Sequence, residues 1–198
     1  MRTKMNTADI RIHMEPEDFR HMIQRFHFRK EDFLSLQAIS RAMAPLLQIK
    51  AYYLWKSRDK IISYNEYAAV FLTLGNGVDA LQELYLSRKC LSEAYMVECI
   101  ALELLTKAYR EFVKKVQKET GKWAEKIDFL GDTYPIELLP RLYNEFGQMD
   151  ISYNEKLVLS PEKSVAFLLP MSKKETGSAC NICKNCSNKS CVLRSVTD

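Results

Sequence analysis

A long amphipathic segment in the middle of the chain constrains the fold more than any other feature of the sequence. Between Ser92 and Thr120, apolar residues recur at helical spacing. Gly121 follows, and glycine commonly ends a helix. The segment therefore predicts one long helix, with these residues on its apolar side: Tyr95, Met96, Cys99, Ile100, Leu102, Leu105, Tyr109, Phe112, Val113 and Val116.

Shorter patterns surround this helix and indicate the class of fold. Helical spacing or capping signals predict further helices at 15–27, 30–45, 78–87 and 135–147. Apolar or aromatic runs bounded by turn residues predict strands at 50–56, 67–74, 151–159 and 163–169. Helices and strands do not alternate strictly in this order. The sequence therefore predicts an α+β fold, with a twisted, mainly antiparallel sheet flanked by helices.

Composition excludes several classes of protein. The 198 residues are 47% apolar and 27% charged, which is typical of a soluble domain with a real core. A formal net charge of +4 is well short of a nucleic-acid-binding stripe, so no nucleic-acid partner is expected. No apolar run approaches the roughly 20 residues that span a bilayer, and the first residues lack a secretory signal. We therefore expect a cytoplasmic protein without a membrane partner.

The sequence changes character near Met171. Beyond this point Ser, Lys, Asn, Thr and Cys dominate, and the regular apolar periodicity is lost. We therefore predict two parts, an α+β domain at 1–170 and a cysteine-rich metal-binding tail at 171–198.

Four cysteines in the tail form the strongest chemical signal. Cys180, Cys183, Cys186 and Cys191 have the spacing C-x2-C-x2-C-x4-C. In a reducing cytoplasm, clustered thiols more often hold metal than form disulfides. The compact spacing is similar to the C-x2-C-x2-C run of bacterial ferredoxins and favours a [4Fe–4S] cluster. Cys191 would be its fourth ligand, although four residues precede it in place of the usual three. Zinc is the alternative metal, and an unmetallated tail is the third reading.

Four blocks of sequence resemble the activation domain of cobalamin-dependent methionine synthase and its stand-alone relatives. The residues from Ala69 to Gly75 are similar to a family strand that ends in T-x-G. The residues from Glu93 to Glu98 are similar to part of a long helix in the family. The D-T-Y-P stretch ending at Pro135 is similar to the family's G-D-W-P. The closest match runs from Glu155 to Val165 and is similar to T-E-S-x-x-M-x-P-x-K-S-V.

The resemblance implies an accessory protein for a corrinoid methyltransferase such as methionine synthase. In the family, the domain docks on the cobalamin-bearing partner and presents S-adenosylmethionine when the cobalt has oxidised to Co(II). An electron is then supplied, and methyl transfer restores methylcobalamin. The matched positions imply that Lys126, Gly131, Tyr134 and Glu155 contact a cofactor. An iron–sulfur cluster in the tail would deliver the electron. Whether the chain is itself catalytic is left open.

One departure from the family pattern concerns the cofactor loop. The family's R-x-x-x-G-Y motif is replaced by the residues from Lys126 to Gly131, which contain neither Arg nor a Gly-Tyr pair. Lys126 supplies a positive charge without the planar fork of arginine. We therefore predict that S-adenosylmethionine binds weakly, if at all.

A second function from a different class stays open. A non-catalytic interaction module would have kept the fold, lost S-adenosylmethionine binding and used a zinc-stapled tail to hold a partner. Glu155 is equally explained as a surface strand residue, and Tyr134 as a residue that packs on the following helix. Metal content separates the two functions, because an iron–sulfur protein is brown and a zinc protein is colourless.

Overall fold

The computed structural model describes residues 4–175, which contain helices and strands of very different lengths. The helices are α1 (Pro16–Arg25), α2 (Phe33–Met43), α3 (Asn76–Ser87), α4 (Leu91–Thr120) and α5 (Leu139–Tyr143). The strands are β1 (Asn6–Asp9), β2 (Lys50–Ser57), β3 (Glu66–Thr73), β4 (Trp123–Ala124), β5 (Asp128–Phe129), β6 (Ser152–Tyr153), β7 (Leu159–Ser160) and β8 (Ser164–Ser172).

One sheet organises the domain. Its strands follow the order β1, β2, β3, β8, and the short strands β4 and β5 pair with the far edge of β8. Every strand pair among the described residues is antiparallel, and β6 and β7 form a separate small hairpin. The predicted α+β class with a mainly antiparallel sheet is confirmed.

The two central strands set the position of the candidate site. Thr73 at the end of β3 pairs with Ser164 at the start of β8, and Tyr67 pairs with Pro170 at the other end. Seven of the eight residues of β3 are buried, because helices and loops cover both faces of the sheet. The buried pair of strands therefore holds the loop before β8 against the loop after β3.

Each face of the sheet carries its own apolar core. On one face, α4 contributes Ile100, Leu104 and Phe112 to a core shared with α1, α2 and α3. On the other face, Tyr67 and Phe71 of β3 pack against α5 and the residues around it. This second layer brings the segment from Leu130 to Ile151 under the sheet.

Helix α4 is longer than any other helix among residues 4–175. It runs for 30 residues and ends at Gly121, which has the left-handed φ of +66° that its missing side chain permits. The long helix predicted from the amphipathic segment is confirmed. No helix in the described part of the chain is both long and apolar enough to cross a membrane.

Two predicted elements near the end of the domain are wrong in extent. The helix predicted at 135–147 is a 3₁₀ turn followed by the five residues of α5, because Pro140 has no N–H to continue an earlier turn and fits only the start of a helix. The strand predicted at 151–159 is only β6, and its chain turns back through Leu157 at a φ of +61° to form β7.

Three short strands were not predicted. The edge strand β1 has a mixed polar sequence, and β4 and β5 have two residues each, which is too short to show alternation. Strand β8 also continues to Ser172, two residues beyond the predicted end of the domain at 170, and its last two residues pair with β4.

Candidate functional site

Three of the four blocks that resemble the methionine synthase family meet where β3 ends and β8 begins. The Ser164 hydroxyl donates to Thr73 Oγ1 at 2.8 Å, and the same oxygen accepts the Gly75 N–H at 3.0 Å. The Leu74 N–H donates to the carbonyl of Lys163 at 3.0 Å. Both hydroxyls are buried, so their mutual bond satisfies groups that water cannot reach.

A buried lysine ties this strand end to the long helix. Lys163 is only 6% exposed, and its Nζ lies 2.7 Å from Glu98 Oε2 on α4. Gln82 Nε2 on α3 donates to the same carboxylate oxygen at 3.0 Å. A buried ammonium requires such a partner because the protein interior does not solvate an isolated charge. Glu98 therefore links the second and fourth blocks.

Asp79 on α3 completes this group of polar residues. Its Oδ2 accepts the N–H of Glu162 at 2.7 Å, whereas its buried Oδ1 has no hydrogen-bond partner among residues 4–175. Burial raises the pKa of the Asp79 carboxyl above its usual value. We refer to Thr73, Asp79, Glu98, Lys163 and Ser164 as the strand-end cluster.

A pocket of about 230 Å³ opens beside the strand-end cluster. One wall is the free edge of β8, where the last pairing bond runs from the Leu130 N–H to the carbonyl of Ala166 at 3.1 Å. Alternate residues of a strand direct their backbone polar groups to the same edge, so Ser164 presents its N–H and C=O here as Ala166 does. Glu162 lines the pocket just before β8, and the lining residues from the segments 129–139 and 157–159 are apolar.

This pocket, which we call the β8-edge pocket, is small. Pockets for drug-sized ligands span about 300–1,000 Å³, so about 230 Å³ holds only part of such a molecule. Its polar groups are backbone donors and acceptors together with Glu162 and Ser164. The arrangement suits an edge-on hydrogen bond to a planar or extended group better than full enclosure.

A second polar group is centred on Asp128, two residues before Leu130 in the chain. Asp128 is 3% exposed, accepts a hydrogen bond from the Tyr64 hydroxyl and lies 3.1 Å from Lys126 Nζ. Lys126 also lies over the Tyr64 ring, 5.4 Å from its centre, and the Tyr134 ring is 6.1 Å from that of Tyr64. Burial and the bond to Asp128 raise the pKa of Tyr64. We call these four residues the tyrosine–aspartate cluster.

The structure brings three of the four predicted cofactor residues together. Lys126 and Tyr134 belong to the tyrosine–aspartate cluster, and the N–H of Gly131 donates to the carbonyl of Tyr134 at 2.7 Å. Gly131 has a φ of +90°, so a tight glycine turn is present in this loop. Glu155 is exposed in the turn between β6 and β7 and does not line the β8-edge pocket.

The predicted metal ligands Cys180, Cys183, Cys186 and Cys191 lie outside the described residues. Within residues 4–175, no three His, Cys, Asp or Glu side chains form a group that could hold a metal ion. Cys90 precedes α4, and Cys99 is buried on its apolar side, where burial raises the pKa of its thiol to about 11.

Sequence reasoning missed several residues that now define the site. Asp79, Asp128 and Tyr64 follow no family block, and only folding brings them to their partners. Lys163 and Thr73 were visible as parts of matched motifs but were not assigned a role. A lysine directly before a buried strand was the available signal, because a lysine there needs a carboxylate partner.

The α+β fold carries two polar clusters, one where β3 ends and β8 begins and one around Asp128 of β5. No protein-family model matches this chain, and no curated protein sequence matches it. Among solved structures, the crystal structure of the MetH reactivation domain bound to AdoHcy is similar, with a TM-score of 0.49 and 11% sequence identity. That match covers 88% of this chain and 81% of the other. The AdoHcy belongs to that structure.

Proposed function

We propose that this chain is an accessory protein for the reductive reactivation of a corrinoid methyltransferase such as methionine synthase. The observation that carries the proposal is the meeting of three family-like blocks in the strand-end cluster. Those blocks are separated by up to about ninety residues, as in the pair Thr73 and Ser164. Packing alone does not favour a buried lysine and a buried pair of hydroxyls at this place, because burial of polar groups costs free energy.

The proposal assigns electron delivery to a [4Fe–4S] cluster held by the tail. The donor set fits, because four thiolates within twelve residues are soft ligands of the kind that iron–sulfur clusters use. When bound, such a cluster supplies one electron at a time. Cys180, Cys183 and Cys186 would hold it, with Cys191 as the fourth ligand.

Anaerobic reconstitution with iron and sulfide tests the ligand assignment. We expect about four irons and four sulfides per chain, a brown colour and an EPR signal after reduction. Cys183→Ser should abolish this signal, whereas Cys90→Ser should leave it unchanged because Cys90 precedes α4 and is about ninety residues from the motif in sequence. Binding of one zinc per chain in place of iron would end the electron-transfer role.

Activity is tested on the partner. The reduced, reconstituted chain is mixed with a methionine synthase whose cobalamin is in the Co(II) state, and the Co(II) EPR signal is followed. We expect the signal to decay with the full chain and to persist with Cys183→Ser. Persistence with both proteins, after confirmed cluster reconstitution, would contradict the proposed function.

Binding of S-adenosylmethionine is the weakest part of the family resemblance. Lys126, the only cation retained in the cofactor loop motif, is already engaged with Asp128 at 3.1 Å. Loss of a charge-assisted bidentate contact costs about 2 kcal/mol or more, or about thirtyfold in affinity. We expect calorimetry to detect weak binding or none. A dissociation constant in the low micromolar range would show that other residues have replaced the motif.

This observation also favours the second candidate function. A domain that has lost S-adenosylmethionine binding but kept its fold would act as a non-catalytic interaction module, with a zinc-stapled tail that holds the partner. The two candidates differ in their metal and in whether the chain changes the Co(II) signal. A colourless zinc protein that binds the methyltransferase without affecting that signal would support the second.

A further inference from the structure

A cavity unrelated to the sites above lies near the N-terminus. Residues 10–14 connect β1 to α1 and cross the molecule as a strap, anchored where the Ile10 N–H donates to the carbonyl of Ile49 at 3.0 Å. Between this strap, the end of α2 and the middle of α4 there is a cavity of about 350 Å³. That volume is within the range of small-molecule pockets.

The floor of this strap cavity is apolar. It is formed by Ile10 and Ile49 at the sheet edge, by Leu47 after α2 and by Leu104 on α4. Three of these side chains, Ile10, Ile49 and Leu104, are less than a tenth exposed. Apolar surface of this kind favours the hydrocarbon part of a ligand over water.

The rim of the cavity is cationic. Arg11 from the strap and Arg41 from α2 both line it, and no Asp or Glu among residues 4–175 does so. Neither guanidinium has a carboxylate within 4 Å in the described part of the chain. His13 also lines the rim, and its Nε2 is bound to Glu15. Arg11 and His13 line a neighbouring cavity as well, and Glu15 and Glu111 line only that one. The strap cavity is therefore lined by two arginines and by no acidic side chain of the described residues.

We propose that the strap cavity binds a small amphipathic anion, with an apolar body on the floor and one carboxylate or phosphate at Arg11 and Arg41. An apolar pocket with a few convergent polar groups is the usual form of a small-molecule site. Arginine matches the planar geometry of carboxylate and phosphate oxygens. This binding site is separate from the strand-end cluster and does not depend on the reactivation role.

Isothermal calorimetry with three ten-carbon probes tests the proposal on the full chain. Decanoate and decyl phosphate carry the anion, and decanol lacks it. The anions are used below their micelle-forming concentrations, and decanol is used below its solubility limit. We expect one site per chain for at least one anion, with decanol bound about tenfold or more weakly. The tighter of the two anions identifies the head group.

Variants at exposed positions keep the test independent of folding. Arg41→Gln should weaken anion binding about tenfold or more, and Ala44→Leu, which fills the cavity from its rim, should abolish it. Arg88→Gln, at the exposed end of α3, is the matched control and should bind as the parent does. Any of three outcomes would overturn the proposal. Decanol could bind as tightly as both anions, the chain could take up many equivalents, or Arg41→Gln and Ala44→Leu could leave binding unchanged.

Discussion

The ion pair between Lys163 and Glu98 is unequal in its exposure. The lysine side chain is 8% exposed, whereas that of the glutamate is 33% exposed. Glu98→Gln would leave the buried ammonium uncompensated, and we expect a loss of about 2 kcal/mol in the free energy of unfolding. Lys163→Met would leave Glu98 in partial contact with water, and we expect a loss of about 1 kcal/mol or less. Urea denaturation measures both.

The critical outcome is which of the two variants loses more free energy of unfolding. Glu162 lies 3.7 Å from Lys163 and can recover only a small part of the lost charge interaction, because its side chain is 71% exposed. An equal cost for both variants, or a larger cost for Lys163→Met, would show that packing of the lysine stem outweighs its charge.

Asp79 predicts a pH dependence of stability. Burial raises the pKa of its carboxyl above the ordinary value of 3.8, so the folded chain holds this proton more tightly than the unfolded chain does. The contribution of Asp79 to stability is therefore full below about pH 4 and is lost as the pH rises through the folded pKa.

Asp79→Asn removes this titration. We expect the variant to gain stability relative to the parent at pH 7, and the gain to shrink as the pH falls from 7 towards about 4. Urea denaturation of both proteins at several pH values between 3.5 and 7 checks it. A constant difference across this range would mean that the Asp79 carboxyl has no altered titration in the folded chain.

Residues inside contiguous motifs were easier to predict than residues assembled by folding. The sequence indicated Lys126, Gly131 and Tyr134 as neighbours because eight residues separate the first from the last, and the structure brings them together. It could not indicate Tyr64 as the partner of Asp128, since 64 residues separate them and Tyr64 belongs to no family-like block. Glu155 was a motif match, but the turn at Leu157 holds it in solvent.

At the scale of elements, two glycines where β3 leads into α3 are required for different reasons. Gly75, just before α3, has a φ of +90°. Gly77, in the first turn of α3, lies so close to a 3₁₀ turn at Ala44–Leu46 that an added Cβ would be 2.5 Å from the Leu46 carbonyl oxygen. We expect Gly77→Ala to lower the free energy of unfolding by about 2 kcal/mol or more.

Gly147→Ala is the matched control for this substitution. Its added Cβ would meet only Met5 Cε at 3.9 Å, an ordinary contact. We expect a change within about 0.5 kcal/mol, measured by the same urea denaturation. If Gly77→Ala is as harmless as the control, α3 can shift away from the 3₁₀ turn without loss.

Long elements were predictable, and short ones were not. Helix α4 and strand β3 carry enough residues for their periodicity or apolar run to stand out, whereas β4 and β5 exist only because β8 offers them an edge. The prediction of one strand at 151–159 was wrong for a similar reason, because a short local feature decides the outcome. Its β-forming residues were visible, but the positive φ of Leu157 that reverses the chain was not.

For the whole molecule, the position of the domain boundary predicts how truncation affects stability. Met171 is 7% exposed and pairs with Ala124, and Ser172 pairs with Trp123. We expect a chain ending at residue 175 to unfold cooperatively with nearly the parent's stability. A chain ending at residue 170 should lose about 2–3 kcal/mol through the exposed partners of Met171.

Thermal and urea unfolding of the two truncated chains distinguish these cases. A molten or insoluble chain ending at residue 175 would show that residues beyond it are required for the fold. Equal stability of the two chains would show instead that the β4–β8 pairing contributes little.

The central place of β8 has a consequence for how the protein is made. Its partner β3 is synthesised about ninety residues earlier, and seven of the eight residues of β3 are buried only in the finished sheet. Until residue 172 has left the ribosome, β3 lacks its neighbour β8. The unpaired backbone edge of this apolar strand is then open to pairing with other chains. Such distant contacts form slowly. The nascent chain is therefore most vulnerable to aggregation just before its domain is complete.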